Sequence, residues 1–205
     1  MSRTTVIERI LIRGVNWVGD SIMTIPALRQ LRRVFPHAHL TLLVRPPLVG
    51  LFREADFVDE VLALELRSAR EYWRAVAVLR ARRYDLAVLL PNAFGAALLT
   101  FAAGIPIRVG YPTDGRAWLL THRIPLRPQW RREHQVYFYL HLIAELGHRL
   151  GGMERVSFAD PIPRLTVSEE RKREALAFLA ERGVDVSRKI VVVNPGAVNS
   201  RAKQW

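Results

Sequence analysis

Short apolar runs alternate with longer segments of helical period along the first half of the chain. The runs are rich in Val, Leu and Ile; they are Ile10–Arg13, His39–Val44, Val58–Leu64, Asp85–Leu90 and Ile105–Gly110. This alternation is typical of a parallel sheet whose strands are joined by crossover helices. It predicts a doubly wound α/β fold with five parallel strands, and it places ligand-binding loops at the carboxyl ends of those strands.

Four segments have apolar positions at helical spacing. Ser21–Phe35 places apolar residues at steps of three, and Ser68–Arg83 repeats this pattern beside an arginine-rich face. Phe94–Ala103 is largely apolar, which predicts a short buried helix. Glu133–Leu150 has the strongest amphipathic pattern, and glycines mark its end. We therefore expect helices over these four segments.

The pattern changes near residue 160, where we place a domain boundary. Ala159–Ser168 contains three prolines and no helical period, so we expect an extended connector there. Beyond it, Ser168 is placed to cap a helix that stops at Gly183. The first domain is accordingly predicted over residues 1–160.

Residues 161–205 are too few to form a second domain by themselves. Lys189–Ala197 has the apolar run of a buried strand and leads into a loop that contains glycine. One helix and one strand cannot bury their apolar faces against each other alone. We interpret this segment as the connector and the opening helix and strand of a truncated second domain.

The chain is strongly basic. It has 31 Lys and Arg residues against 19 Asp and Glu residues, a formal net charge of +12, and nearly all of the basic residues are Arg. Such a charge suits a nucleic acid, an anionic membrane surface or a phosphorylated substrate, and charge alone does not choose among them. A coding bias that places arginine on a solvated surface remains an equal alternative.

Composition excludes several classes of protein and site. The chain has no cysteine, which excludes disulfides and thiolate metal sites and fits a reducing compartment. The amino-terminal residues lack the continuous apolar core of a secretory signal, and no stretch approaches the roughly 18–20 apolar residues that span a bilayer. The histidines have no metal-binding spacing, so we expect no metal site.

The loop Gly14–Asp20 is the first candidate site. It follows the first predicted strand and precedes the first helix, where free backbone N–H groups face the ligand crevice. Gly14 and Gly19 would let the backbone approach a ligand, but their spacing does not match the dinucleotide fingerprint. Asp20 has two possible roles: it caps the helix, or it acts as a general base that takes a proton from a sugar hydroxyl.

Two further segments place polar residues near the same predicted crevice. Asn92 follows the fourth strand, where it either donates to a ligand hydroxyl or serves as a turn residue. Later, basic residues surround Trp130; they are Arg127, Arg131, Arg132 and His134. Arginine forks suit phosphates and acidic sugars, whereas a solvated helix start is the alternative. No RNA-binding motif accompanies this cluster.

The last candidate is the loop Pro195–Trp205, which follows the predicted strand of the second domain. A loop in this position is suited to binding phosphate, although it lacks the Walker A pattern. Lys203 would then contact the phosphate. The alternative, which the residues alone favour, is a frayed tail that ends near a solvated lysine.

Three segments of the chain resemble one known family in the same order. Ile10–Val44, Tyr84–Tyr111 and Asn194–Trp205 are similar to the ADP-heptose:lipopolysaccharide heptosyltransferases of glycosyltransferase family 9, particularly those that add the second heptose. The resemblance implies a GT-B glycosyltransferase. Its N-terminal, Rossmann-like domain would receive the lipopolysaccharide core acceptor, and its C-terminal domain would hold ADP-heptose.

The resemblance also implies roles for individual residues. Asp20 would be the catalytic base of an inverting transfer, and Lys203 would contact the donor phosphates at a loop that starts with Gly196 and Ala197. We expect acceptor contacts from the first loop and from the two further segments; these residues are Asn16, Trp17, Gly19, Asn92, Arg131 and His134.

The implied partners are ADP-heptose, an inner-core acceptor (Kdo2-lipid A that carries heptose) and, by peripheral contact, the cytoplasmic face of the inner membrane. No cofactor, metal or nucleic acid is expected, and the fragment alone is expected to be inactive. Two alternatives remain open. One is a family-9 enzyme that uses another sugar, and the other is a non-catalytic module that binds nucleotides or polyanions.

Overall fold

The computed structural model describes residues 6–150, 156–159 and 161–193, except for the side chain of Arg131. Within these ranges a single sheet contains six parallel strands. The strands are β1 (Arg9–Arg13), β2 (His39–Val44), β3 (Glu60–Ala63), β4 (Leu86–Leu89), β5 (Ile107–Gly110) and β6 (His122–Arg123). Their order is β3-β2-β1-β4-β5-β6, which is the order of a doubly wound, Rossmann-like domain. The predicted α/β fold class is therefore confirmed.

Helices connect the strands. The α-helices in the described part of the chain are α1 (Val18–Val34), α2 (Val49–Phe52), α3 (Ala69–Ala81), α4 (Phe94–Ala102), α5 (Gln135–Leu150) and α6 (Glu169–Ala180). Short 3-10 helices occupy Pro46–Leu48, Ala117–Leu119 and Pro128–Arg131. Every helix expected from the apolar spacing is present, with ends that differ by a few residues.

Helix α1 and strand β6 differ from the prediction for physical reasons. Helix α1 starts at Val18, one turn before Ser21, because its first turn is exposed and carries no apolar period. Strand β6 was missed because two residues, His122 and Arg123, are too few to show a pattern. It pairs with β5 through Val109 and extends the sheet by one strand.

The core lies on both faces of the sheet. Side chains along a strand alternate between the faces, so Ile10 and Ile12 pack against α1 and α5 while Leu11 packs against α3 and α4. All three are fully buried. Since β1 has neighbours on both edges and helices on both faces, it forms the centre of the first domain.

Gly14 allows the chain to leave β1 next to β2. Its N–H donates to Leu43 O at 2.9 Å. A Cβ at this position would lie 3.0 Å from Leu43 O and 3.1 Å from Val44 Cγ1. A Cβ on Gly19, in contrast, would meet no atom within 4 Å. The packing of β1 on β2 therefore requires a glycine at this position. The predicted role of Gly14 in ligand approach stays a prediction.

An ion pair fastens the carboxyl end of α1 to the amino edge of the sheet. Asp59 lies just before β3 and accepts hydrogen bonds from Leu40 N–H, at 2.7 Å, and from the Arg32 guanidinium. Burial alone would raise the pKa of Asp59, but these two hydrogen bonds, with the charges of Arg32 and His39, hold it below its ordinary value. The carboxylate form is thus the one that stabilises the fold.

The chain divides into two compact units, Met1–Thr166 and Val167–Trp205. In the second unit Ser168 caps α6 by accepting a hydrogen bond from Arg171 N–H, and Gly183 follows the helix with a φ of 78°. Both features were predicted. Over its described residues, Lys189–Val193, the predicted strand is not formed, because the described part of this unit has no strand with which to pair.

We expect Gly14→Ala to lower the free energy of unfolding by about 1–3 kcal/mol, since the added methyl group overpacks the contact with β2. Gly19→Ala is the matched control. It adds a methyl group in open space and should leave stability unchanged or raise it by up to about 1 kcal/mol. Urea denaturation followed by circular dichroism measures both, and equal losses in the two variants would contradict the packing argument.

We expect Asp59→Asn to lower the unfolding midpoint at neutral pH and to have little effect in acid. The folded-state pKa of Asp59 lies below its ordinary value of 3.8. Its stabilisation is therefore complete above that value and is lost as the pH falls through the folded-state pKa. Denaturation midpoints at neutral pH and at about pH 3 test this. Asp56→Asn, which removes an exposed ion pair with Arg29, is the control and should change little.

Candidate functional site

The carboxyl edge of the sheet is where the predicted residues meet. The strand order reverses direction between β1 and β4, and ligands of doubly wound folds bind in the crevice at such a reversal. The loop Gly14–Trp17 follows β1, and the loop Leu90–Ala93 follows β4. Because β1 and β4 are hydrogen-bonded neighbours, these loops flank the same crevice.

Asp20 lies in the first turn of α1, as the third residue of the helix. The residue at the N-cap position is Trp17, with φ −112° and ψ 146°, and its side chain makes no capping hydrogen bond. The alternative role of Asp20 as the helix cap is therefore wrong. Its side chain is partly exposed, and it makes no hydrogen bond or ion pair with the described residues. The carboxylate oxygens are thus free to accept a proton from a ligand.

Tyr139 of α5 lies next to Asp20. The phenol is only 3% exposed. Burial raises the pKa of Tyr139, the negative charge of Asp20 raises it further, and a hydrogen bond with the Gln135 side chain opposes these effects. Tyr139 was missed from the sequence, because nothing in the local pattern of α5 indicates which loop it faces.

Three residues at the junction of the first loop and α1 face away from the core, whereas Gly14 and Val15 are buried. Asn16, Trp17 and Gly19 are exposed, and the Trp17 side chain is 55% exposed. The Asn16 Oδ1 atom accepts a hydrogen bond from Arg13 Nη2 at 3.0 Å. An exposed indole beside an open glycine provides a surface on which a sugar ring can stack. Their predicted role as acceptor contacts stays a prediction.

Asn92 is held in place by a buried arginine. Arg116 is fully buried and donates to the backbone carbonyls of Tyr111, at 3.0 Å, and of Pro91. Its Nη2 atom donates to Asn92 Oδ1 at 3.3 Å, which leaves the amide NH2 group of Asn92 available to a ligand. Burial lowers the pKa of Arg116 to about 10, so the guanidinium stays charged at neutral pH.

A pocket of about 320 Å³ opens beside Asn92. Its polar lining includes Asp114, Glu133 and Gln135, and Trp130 supplies part of an apolar wall. Carboxylates and amides beside an aromatic ring suit the hydroxyl groups of a sugar. The Gln135 side chain also hydrogen-bonds to Tyr139, whose pKa the negative charge of Asp20 raises.

The predicted basic cluster around Trp130 is not the free patch that the sequence indicated. Trp130 is 7% exposed and stacks on His141 with ring centroids 4.2 Å apart. Arg127 is paired with Glu145 at 3.3 Å. These contacts correct the prediction, because an arginine in an ion pair and a buried indole are less available to a phosphate.

Two residues of that cluster remain predicted acceptor contacts. His134 precedes α5, and its Nδ1 atom accepts a 3.4 Å hydrogen bond from Val136 N–H. Arg131 lies in the preceding 3-10 helix, and its side chain is outside the described residues. The donor-binding residues Gly196, Ala197 and Lys203 also lie outside the described residues.

A second basic region was missed from the sequence. Arg13 ends β1 and Arg45 follows β2, so both lie at the carboxyl edge beside the first loop. The sequence did contain a signal for this region, because an arginine at the end of an otherwise apolar run is unusual. In the described ranges no group of three or more His, Asp or Glu side chains is placed to hold a metal ion. No helix there is long and apolar enough to cross a bilayer.

Sequence comparison identifies relatives over 96% of the chain. The model of glycosyltransferase family 9 (heptosyltransferase) matches residues 72–205. The chain is 30% identical to Lipopolysaccharide heptosyltransferase 2 of Escherichia coli (strain K12), a match that covers 96% of this chain and 56% of the relative. The chain thus spans about half the length of the curated relatives it matches.

Solved structures agree with the sequence matches. The structure of E. coli ADP-heptose lps heptosyltransferase II superimposes with a TM-score of 0.76 at 28% identity, over 96% of this chain and 57% of that one. The glycosyl transferase family 9 structure from Veillonella parvula DSM 2008 has a TM-score of 0.70 at 18% identity, over 88% of this chain and 51% of that one, and supports the fold alone. Since the family model covers well over half of the 205 residues, the resemblance is confirmed and the chain belongs to glycosyltransferase family 9.

Proposed function

We propose that the protein is an inverting glycosyltransferase that transfers heptose from ADP-heptose to the inner core of lipopolysaccharide, as the second heptose. The proposal rests on one observation above all. The carboxylate of Asp20 is partly exposed and has no partner among the described residues, and it lies in the first turn of α1 at the crevice between β1 and β4. The heptosyltransferase relatives support the choice of donor and acceptor.

The chemistry requires one base and one leaving group. Asp20 takes the proton of an acceptor hydroxyl, and the hydroxyl oxygen attacks the anomeric carbon of the donor sugar. The bond from that carbon to the diphosphate breaks, and ADP departs with the bonding electrons. Because attack and departure occur on opposite faces of the carbon, the configuration inverts. One carboxylate is sufficient, since the activated donor needs no acid of the kind that glycosidases use.

The acceptor is proposed to occupy the crevice and the pocket beside it. Trp17 would stack on a sugar ring, the open space at Gly19 would admit the ring to the backbone, and Asn92 would donate to a hydroxyl. Tyr139 and Gln135 would keep the wall next to Asp20 in place. Holding the hydroxyl against the base in this way supplies the orientation on which transfer depends.

The donor is proposed to bind through the second unit. Gly196 and Ala197 would bring backbone N–H groups to the diphosphate, and Lys203 would offset the charge that develops as ADP leaves. The proposed reaction requires only the donor and the acceptor. The proposal therefore includes no cofactor and no metal.

A peripheral contact with the cytoplasmic face of the inner membrane is also proposed. Phe94, Phe101 and Trp118 form an exposed cluster, which we call the aromatic patch; they are 39%, 46% and 60% exposed. The Trp118 ring lies 6.1 Å from each phenylalanine ring. Exposed aromatic clusters of this kind are typical of surfaces that enter the interfacial region of a bilayer.

Arginines at the rim of the aromatic patch favour an anionic bilayer. Arg80, Arg108 and Arg123 each donate to a backbone carbonyl in α4 or in the 3-10 helix that contains Trp118. None of the three forms an ion pair with a carboxylate of the described residues. Their charges therefore remain available to lipid phosphates, while the aromatic rings enter the apolar boundary.

We expect Asp20→Asn to lower kcat by about 10²–10⁴-fold, which is the usual contribution of a general base. KM for the acceptor should change little, since the amide keeps the size of the carboxylate. The measurement is the rate of heptose transfer from ADP-heptose to a one-heptose acceptor, catalysed by the full-length protein. Mass analysis of the product identifies the sugar that is transferred.

Asp56→Asn is the control, because Asp56 is exposed and lies before β3, at the opposite edge of the sheet. It should retain full turnover. If Asp20→Asn keeps most of the wild-type rate, Asp20 is not the base and the proposed mechanism is wrong.

We expect Trp118→Ser to weaken binding to vesicles that contain phosphatidylglycerol by about fivefold, which corresponds to the loss of roughly 1 kcal/mol of apolar burial. Trp73→Ser is a matched control, since Trp73 is 62% exposed on α3 and lies outside the aromatic patch. Cosedimentation with vesicles measures both. Equal binding of the Trp118→Ser and Trp73→Ser variants would count against this contact. So would wild-type binding to neutral phosphatidylcholine vesicles that equals its binding to phosphatidylglycerol vesicles.

A further inference from the structure

A small basic pocket lies next to the first loop at the carboxyl ends of β1, β2 and β3. It has a volume of about 200 Å³. Its polar lining comes from the end of β1, from the first loop, and from the residues after β2 and β3; these residues are Arg13, Asn16, Arg45, Glu65 and Arg67. We call it the arginine pocket. These residues lie at or after the ends of three different strands, so only the tertiary fold brings them together.

Arg13 is the centre of the arginine pocket. The residue is 7% exposed, although it carries a positive charge. Its Nη1 atom donates to Gly14 O and its Nη2 atom to Asn16 Oδ1, but its Nε atom is buried and has no partner among the described residues. No carboxylate of the described residues forms an ion pair with it. A buried guanidinium without an anion is costly, since desolvation of its charge is not offset.

A second positive charge increases this cost. Burial and, to a smaller extent, the nearby charge of Arg45 together lower the pKa of Arg13 to about 10. The two positive charges therefore repel each other. Glu65 is the one acidic side chain in the lining, and its carboxylate lies 3.1 Å from the Arg67 guanidinium. The arginine pocket thus has three guanidinium groups and a single carboxylate that is already paired.

A purely structural role does not explain this arrangement. The two hydrogen bonds from Arg13 to the first loop would position that loop, but a neutral amide could make them without burying a charge. They also leave the Nε atom unused and give no reason for Arg45 to lie nearby. An anion in the pocket accounts for the buried charge of Arg13, for its unpartnered Nε and for the position of Arg45. It would pair with both positive charges and accept a hydrogen bond from the Nε atom.

We propose that the arginine pocket binds an oxyanion of the acceptor saccharide, as a phosphate or as a sugar carboxylate. This inference rests on the proposed function. The available volume equals that of roughly seven water molecules, which suits one anionic group but not a whole oligosaccharide. Arginine forks match both groups, since they donate two parallel hydrogen bonds to neighbouring oxygens.

The position of the pocket explains what such binding would accomplish. Asn16 contacts Arg13, and the same loop leads within four residues to Asp20 in the first turn of α1. An anionic group held by Arg13 and Arg45 would fix the rest of the acceptor relative to the base. Arg13 and Arg45 thus act as positioning residues, because they bind a part of the acceptor that does not react.

The test is an NMR titration of the ¹⁵N-labelled 205-residue chain at low ionic strength. The probes are inorganic phosphate, glucuronate as a sugar carboxylate, and glucose as a neutral sugar. We expect phosphate or glucuronate, but not glucose, to shift the Arg13 Nε–H and Asn16 amide signals. A response to phosphate alone assigns the site to phosphate, a response to glucuronate alone assigns it to a carboxylate, and a response to both supports the shared oxyanion chemistry.

Arg45→Gln should weaken anion binding by about tenfold, because one charge-assisted interaction is lost. Arg45→Lys keeps the charge without the fork and should lose less. The side chain of Arg45 makes no hydrogen bond to the described residues, so neither change should alter the fold. Arg74→Gln is the charge-matched control, since Arg74 is exposed on α3. It should bind the anions like the wild type.

Two results would overturn the inference. One is the absence of any anion-specific shift of Arg13 Nε, and the other is equal binding by Arg45→Gln and Arg74→Gln. The titration involves no donor and no turnover. Its outcome therefore tests anion binding separately from the proposed transferase activity. Anion binding without transfer activity would refute the transferase alone. Transfer activity with a silent titration would refute the arginine pocket alone.

Discussion

The close packing of β1 between β2 and β4 is the constraint on which the candidate site depends. The three residues Ile10, Leu11 and Ile12 are fully buried, and the chain leaves the strand at Gly14 with a hydrogen bond to Leu43 O of 2.9 Å. This exit leaves no room for a side chain. The end of β1 therefore has a fixed position relative to β2. The loop and the first turn of α1 that follow it must lie at the carboxyl edge of the sheet.

Charge is distributed unevenly along that edge. On the side of β1 to β3 lie Arg13 and Arg45, whereas on the side of β4 and β5 the pocket lining includes Asp114 and Glu133. The two buried arginines also differ. Arg116 donates to three backbone carbonyls and to the Asn92 amide oxygen, so it links the loops after β4 and β5. Arg13 instead has a buried Nε atom that has no hydrogen-bond partner among the described residues.

Helix α5 connects the two sides. Tyr139 lies near Asp20, and Tyr111, after β5, donates its hydroxyl to Phe138 O at 2.7 Å. Gln135 at the start of the helix lines the pocket beside Asn92. One helix therefore lies near the base and lines the proposed sugar pocket, which makes its packing on α1 part of the site. A base that is supported by a packed helix keeps its position, as orientation-dependent catalysis requires.

The sequence alone determined five of the six described strands, the principal helices, the family and Asp20 as a candidate base. These features depend on local periodicity or on contiguous segments, which are visible along the chain. Only the tertiary structure decided that Asp20 does not cap α1, that Trp130 is buried, and that Arg13 and Arg45 share a pocket. Each of these depends on contacts between residues far apart in the chain, and on the desolvation that those contacts impose. No local pattern encodes such contacts.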